Sequence, residues 1–387
     1  MVAASREQRA GICVSINASV KLLAEKYKES RASVLISTSE ITGNIQLFVM
    51  KLTHTALSQL PTVLPATQAI NSWTGANNYY VHTLPTNEQE ELFQGMSDAG
   101  MKVLCTWVTG QSSGQRNSDN KDVNELEHAG LGKYDDTVLD LLDQTMLIAH
   151  NYGVKLLIGM YSGKSPYLEL ITRGWLLHQS DYPRGFNNRI THILNTHKHK
   201  TLGKPWSELG EYIFGFEAQN EPMIFDQNFY HSHLNWICDT AKQIRGNVGN
   251  KDILIFTGGS SGKASVQLTF FSSDCAIDVV AIHDYNDDFD SFMPSAVSQA
   301  MAADKKLIVE EWGSLFSSSD SSRQANLQGN VEKINKYGVP WLYCMICSQD
   351  QNYEIEVNGA DWQALKSHAQ STSGVTGAFD FSAALAT

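Results

Sequence analysis

The chain has 387 residues, of which 42% are hydrophobic and 18% charged, so it can bury one large core or two ordinary ones. Its formal net charge is −12, its pI is near 5.4, and no Lys/Arg-rich run interrupts it, which argues against a nucleic-acid surface. No stretch approaches ~18 consecutive apolar residues, which argues against a spanning helix and so against a membrane partner.

Residues 50–69, MKLTHTALSQLPTVLPATQA, carry Lys51 near their start, scattered Leu and Val, and a Thr-Gln-Ala ending. That outline is a secretory signal's, with cleavage after Ala69, and it implies a secreted, extracellular protein. His54, Gln59, Pro61 and Pro65 interrupt the apolar region, and 49 residues precede it, so the stretch reads equally as a disordered or marginal leader. On both readings residues 1–69 lie outside the catalytic core.

From residue 70 short apolar runs alternate with longer amphipathic ones. The predicted strands are 72–80 (SWTGANNYY), 102–108 (KVLCTWV), 154–161 (VKLLIGMY) and 212–219 (YIFGFEAQ). They continue at 252–258 (DILIFTG), 277–285 (IDVVAIHDY), 306–313 (KLIVEEWG) and 339–346 (VPWLYCMI), which makes eight. Helical stretches at 87–99, 136–152, 228–245, 293–303 and 323–337 separate them, and TVLDLLDQTMLIAH carries apolar residues at i, i+3 and i+4. Continuous Val/Ile/Leu runs are the mark of parallel strands covered on both faces. Eight such units predict an α/β fold, a (β/α)₈ TIM barrel over residues 70–370, with a non-barrel leader before it and a C-terminal tail, 371–387, after it. A doubly wound sheet is the competitor, and the count of eight argues against it.

In such barrels chemistry sits at the C-terminal ends of the strands. The fourth strand ends in Asn220-Glu221 before Pro222, the sixth in His283 and Tyr285, and the seventh in Glu310-Glu311. Trp107 follows the second strand, and Asn77, Asn78 and Tyr79 close the first. Strands four and seven face each other, so Glu221 and Glu311 can meet over one sugar. That pairing suits glycoside hydrolysis, with one carboxyl as proton donor and the other, ionised, as nucleophile. Neighbouring strand residues point to opposite faces, which predicts that only one of Glu310 and Glu311 reaches the pocket. His283 and Tyr285, two residues apart, fall on the same face.

Of the six cysteines, Cys344 and Cys347 form a lone CxxC without a second pair or suitably spaced histidines, so no metal site is expected. Cys238 and Cys275 are candidates for a disulfide that sequence alone does not pair.

The QNEP at the end of the fourth strand, the HDY on the sixth and the EEWG on the seventh resemble clan A glycoside hydrolases. They are closest to glycoside hydrolase family 5, in the region of its fungal secreted mannanase-like members, over roughly residues 70–369. The resemblance implies Glu221 as acid/base and Glu311 as nucleophile. It implies Asn220 on the sugar 2-hydroxyl, His283 and Tyr285 orienting the acid and the nucleophile, and Trp107, Asn78 and Trp312 among the substrate-binding residues. It departs at two places: Cys105 stands where the family's second strand usually ends in an arginine, and Cys344 where its eighth strand usually carries a tryptophan platform. Segment 160–187 offers no clear family residues. The expectation is a retaining hydrolase of a β-linked polysaccharide, β-1,4-mannan foremost, working as a monomer without a cofactor. The alternatives are a β-glucanase or cellulase, and a glycan-binding barrel with degraded catalysis.

Overall fold

A computed structural model describes residues 70–161, 181–315, 320–347 and 353–386, all within the unit Thr67–Thr387. The leader 1–69 with its signal-like stretch, and residues 162–180 of segment 160–187, lie outside the described residues.

Eight parallel strands close into a barrel in sequence order. They are β1 (Thr74–Asn77), β2 (Val103–Trp107), β3 (Lys155–Gly159), β4 (Ile213–Glu217), β5 (Leu254–Phe256), β6 (Val279–His283), β7 (Lys306–Trp312) and β8 (Trp341–Tyr343). The ring closes where β1 pairs with β8 through Thr74↔Trp341 and Ala76↔Tyr343. Each strand falls inside one of the eight apolar runs, because a strand sandwiched between helices and a filled barrel has no wet face to mark with polar residues.

The outer layer holds α1 (Thr86–Asp98), α2 (Thr137–Asn151), α3 (Asp181–Thr191), α4 (Gln227–Ser232), α5 (Leu234–Asn247), α6 (Met293–Ala302), α7 (Asp320–Asn335) and α8 (Trp362–Thr372). The α2 helix buries Val138, Leu139, Leu142, Met146 and Ala149, the stripe that the i, i+3, i+4 spacing marks out. A disulfide joins Cys238 on α5 to Cys275 in the loop before β6, and Cys105, Cys344 and Cys347 stand outside it.

The N-terminal end of the barrel is closed by aromatics. Trp73 meets Phe214 edge-on at 5.1 Å and Phe381 at 5.4 Å, and Phe381 lies 5.9 Å from Phe214. Phe381 precedes a final short helix, α9 (Ser382–Leu385), where the Ala384 carbonyl accepts a 2.9 Å bond from Lys155 Nζ. Residues 371–386, set apart above as a tail, thus floor the barrel. At its opposite rim the short strands β9 (Ile346–Cys347) and β10 (Ile355–Glu356) pair and carry Tyr353 and Glu354 to a cavity.

Candidate active site

At the C-terminal rim lies a cavity of about 360 Å³. Its walls include Asn77 and Tyr79 after β1, Cys105 and Trp107 of β2, Glu221 beyond β4, Tyr285 beyond β6, Glu311 of β7, and Cys344 and Tyr353 around β8. Tyr79 stacks on Trp107 with ring centroids 5.2 Å apart and planes 12° from parallel, which makes one broad aromatic wall. Arg116, from the loop after β2, crosses the rim and pairs with Glu354 Oε1 at 3.1 Å.

Glu221 sits beyond the end of β4 with its backbone at φ +48°, in the left-handed region that non-glycine residues rarely adopt. The turn is held by its own N–H, which donates to the Gly258 carbonyl at 2.7 Å. Strained backbone of this kind gathers where a side chain must be aimed. One oxygen of Glu221, one of Glu311 and a ring nitrogen of His283 all lie within 4.8 Å of one another. His283 Nδ1 is 3.3 Å from Glu221 Oε1 and 3.4 Å from Glu311 Oε2, and the Tyr285 hydroxyl donates to Glu311 Oε2 at 2.9 Å.

The doublet on β7 departs from the strict alternation expected of it. The register between β6 and β7 runs Ile282↔Val309 and then His283↔Glu311, so Glu310 is an extra residue in a bulge. Both carboxylates therefore turn inward onto the same imidazole: Glu310 Oε2 reaches Nε2 at 3.1 Å while Glu311 approaches Nδ1. At the bulge Asn77 Nδ2 donates to the Glu310 carbonyl at 2.9 Å and to the Tyr343 carbonyl at 3.2 Å. Asn77 is thus the clamp that ties β1, β7 and β8 at the site.

Sequence reasoning places Glu217 at the exit of the fourth strand and gives it no role. It is the last residue of β4, has no exposed surface, and neither of its oxygens meets a hydrogen-bond donor among the described residues. Space for it comes from Gly159 on β3, where a Cβ would run into Glu217 Oε1 and the Trp107 ring; likewise Gly259 leaves room for the His283 ring, with which a Cβ would collide. Burial above all, and then the charge of Glu310, pushes the Glu217 carboxyl well above the ordinary carboxylate range. The signal available was its spacing four residues before Glu221, on a strand whose every residue is buried.

The remaining candidates divide. Asn220 is buried beside Glu221, its N–H bonded to the Tyr161 carbonyl at 3.0 Å. Asn78 is wholly buried, donating to the Ile346 carbonyl at 3.0 Å and accepting from the Tyr80 N–H at 3.0 Å, so it ties the β1 loop to β9. Trp312 is wholly buried, edge-on to Trp341 and Tyr343 at 5.2 and 5.1 Å. Cys105 and Cys344 both face it. The thiol of Cys105 is pushed well up by burial first, then by Glu217, Glu310 and Glu311.

A closed parallel barrel with two carboxyls facing each other across its C-terminal rim is the architecture of a glycoside hydrolase. The chain belongs to glycoside hydrolase family 5: the family described as Cellulase (glycosyl hydrolase family 5) matches it over residues 64–350. Among solved structures, the endo-1,4-β-mannanase of Rhizomucor miehei is similar at 19% identity and TM-score 0.60, over 79% of this chain and 95% of that one. The endo-β-1,4-mannanase of Thermotoga petrophila is similar at 15% identity and TM-score 0.58, over 79% and 77%. Thermotoga maritima Cel5A, in a mutant form with cellobiose, is similar at 15% identity and TM-score 0.51, over 77% and 96%. At these identities the likeness is one of fold. No curated protein matches the chain.

Proposed function

We propose that this glycoside hydrolase cleaves β-1,4-mannan with retention of configuration, Glu311 acting as nucleophile and Glu221 as acid/base. The observation that carries the mechanism is the approach of the two carboxyls, whose oxygens come within 4.8 Å of one another. Retaining enzymes hold the pair about 5–5.5 Å apart, whereas inverting ones need roughly 6.5–9.5 Å to admit a water. Glu311 attacks the anomeric carbon as Glu221 hands its proton to the departing glycosidic oxygen; Glu221 then takes a proton from the water that releases the sugar. Tyr285 steadies the attacking carboxylate through its 2.9 Å bond, and the Tyr79–Trp107 wall offers a flat apolar face to the sugar ring.

Mannan as substrate is supported by the two mannanase-like folds, and β-glucan is favoured instead by the family's cellulase description and the Cel5A likeness. Secretion is supported by the Cys238–Cys275 disulfide, which persists in oxidising compartments. A panel of β-1,4-mannan, cellulose-derived glucan and mixed-linkage glucan, read by released reducing ends, tests the substrate. NMR of the first-formed anomer tests the stereochemistry: a β product on mannan is expected, and an α product would make the enzyme inverting. Retention of glycan on a gel with no release of sugar from any of the three would mark a binding barrel.

A further inference from the structure

We infer that Glu310 is a positioning residue: it keeps His283 as an imidazolium between the two catalytic carboxyls, and that cation holds whichever of them is charged as the reaction advances. The inference rests on the reading of Glu221 and Glu311 given above.

The geometry is that of a ring with carboxyl oxygens on both sides. Nε2 lies 3.1 Å from Glu310 Oε2, and Nδ1 lies 3.3 Å from Glu221 Oε1 and 3.4 Å from Glu311 Oε2. A neutral imidazole has one donor and one acceptor nitrogen, whereas an imidazolium has two donors. Ionised carboxylates only accept, so a ring between Glu310 and Glu311 is satisfied at both nitrogens when it is charged. Glu310 reaches the ring only because of the β7 bulge, and Asn77 holds that bulge by its backbone carbonyl.

Glu217 explains why Glu310 is the partner of the ring. Both Glu217 oxygens lack a donor, and so does Glu310 Oε1, among the described residues. Two buried carboxyls in contact cannot both ionise. Glu217, which makes no hydrogen bond to the ring, keeps the proton and shares it with Glu310. Glu310 is then left to pair with the ring. Burial alone would discharge His283, but Glu311, Glu221 and Glu310 outweigh it and raise its pKa well above the ordinary histidine range. Among the described residues, the titratable groups facing the ring are Glu217 and Glu221 from the β4 side and Glu310 and Glu311 from β7. Tyr285 from beyond β6 adjoins Glu311 and Cys344, and Cys105 from β2 faces the same carboxyls.

The cation matters because the negative charge moves. In the free enzyme it sits on Glu311. When a Glu311 oxygen bonds to the anomeric carbon and the glycosidic C–O bond breaks, the Glu221 proton goes to the leaving oxygen. Glu311 is then a neutral ester and Glu221 carries the charge. Water attack breaks the ester, returns a proton to Glu221 and restores the charge to Glu311. His283, at nearly the same distance from both, keeps its two protons throughout and faces one carboxylate at every stage.

The test is the ¹⁵N spectrum of His283 in the full chain, assigned by its loss in His283→Asn, together with pH–rate profiles on β-1,4-mannan. The expected wild-type ring carries protons on both nitrogens from pH 5 to 8. In Glu310→Gln the ring discharges within that range, kcat falls roughly 10- to 100-fold, and both limbs of the bell move up by about one pH unit or more, since both carboxyls lose a cation. Glu310→Asp restores the charge and returns the limbs toward their wild-type positions. Glu217→Gln, which keeps a donor to Glu310, leaves the His283 titration in place. A neutral ring in the wild type, with Glu221 donating to Nδ1, would overturn the inference, as would a Glu310→Gln profile that drops without moving. If Glu310→Gln does not fold, the wild-type spectrum decides alone. If mannan is not hydrolysed, the proposed substrate fails while the spectrum still decides the role of Glu310.

Discussion

Tyr285 donates its hydroxyl hydrogen to Glu311 Oε2 across 2.9 Å, inside a pocket where burial first, and then Cys344 and Glu311, keep the phenol far from ionising. A buried donor to a carboxylate stabilises its charged form, on the order of 1.5–3 kcal/mol. Tyr285→Phe should therefore lower kcat on glycan about 10- to 100-fold. It should also shift the acidic limb of the pH–rate profile upward, because Glu311 takes up its proton more readily. Steady-state kinetics across pH read both effects, and a reduced kcat with a fixed limb would mean that the hydroxyl acts on substrate instead.

Glu221→Gln and Glu311→Gln each remove one half of the carboxyl pair while preserving its shape. Turnover on unactivated glycan should fall by about three orders of magnitude or more in each, with little change in melting temperature. Glu310→Gln should cost far less in turnover than Glu311→Gln. Labelling with a 2-deoxy-2-fluoroglycosyl substrate, followed by peptide mass analysis, should place the covalent sugar on Glu311; label on Glu310 would reassign the nucleophile.

Glu217 carries a stability prediction with a definite sign. Its folded pKa is raised above the ordinary 4.5, so its favourable contribution is complete below that pH and is lost as pH rises toward the folded value. Glu217→Gln keeps the donor and abolishes the titration. The variant should melt higher than wild type near neutrality, by roughly 1–3 kcal/mol of stability, and match it near pH 4. Calorimetry at the two pH values checks this.

Cys105 faces Glu217, Glu310 and Glu311 from β2, in the position where the family usually has an arginine. Cys105→Arg brings a fixed cation to that cluster and should move the acidic limb downward by about one to three pH units. The larger side chain must also displace neighbours, so the melting temperature should drop. A folded variant with an unmoved acidic limb would show that the guanidinium turns away from Glu311.

Phe381 seals the barrel floor against Trp73 and Phe214, far along the chain from both. Phe381→Ala should cost about 3–5 kcal/mol in denaturant unfolding. Activity well below the new melting temperature should stay near wild type, since the floor lies at the end of the barrel away from the rim.

The sequence by itself determined the eight strands and the rim. Runs such as KVLCTWV and VKLLIGMY are legible because strands covered on both faces must be continuously apolar, and the residues that end them are placed at the mouth by chain direction alone. Glu221, His283, Tyr285, Glu311, Trp107 and the two cysteines are all rim residues of this kind. The tertiary structure decided everything that depends on register or on distant segments. A one-residue bulge, held by Asn77 from the far side of the ring seam, turned Glu310 inward beside Glu311, and no local pattern encodes a slip between two strands. The same limit hid the role of Glu217, whose burial depends on a glycine in β3, and it sent Asn78 to a loop tie and Trp312 into an aromatic cluster. Arg116 meets Glu354 from 238 positions away, and that contact exists only once the barrel has closed.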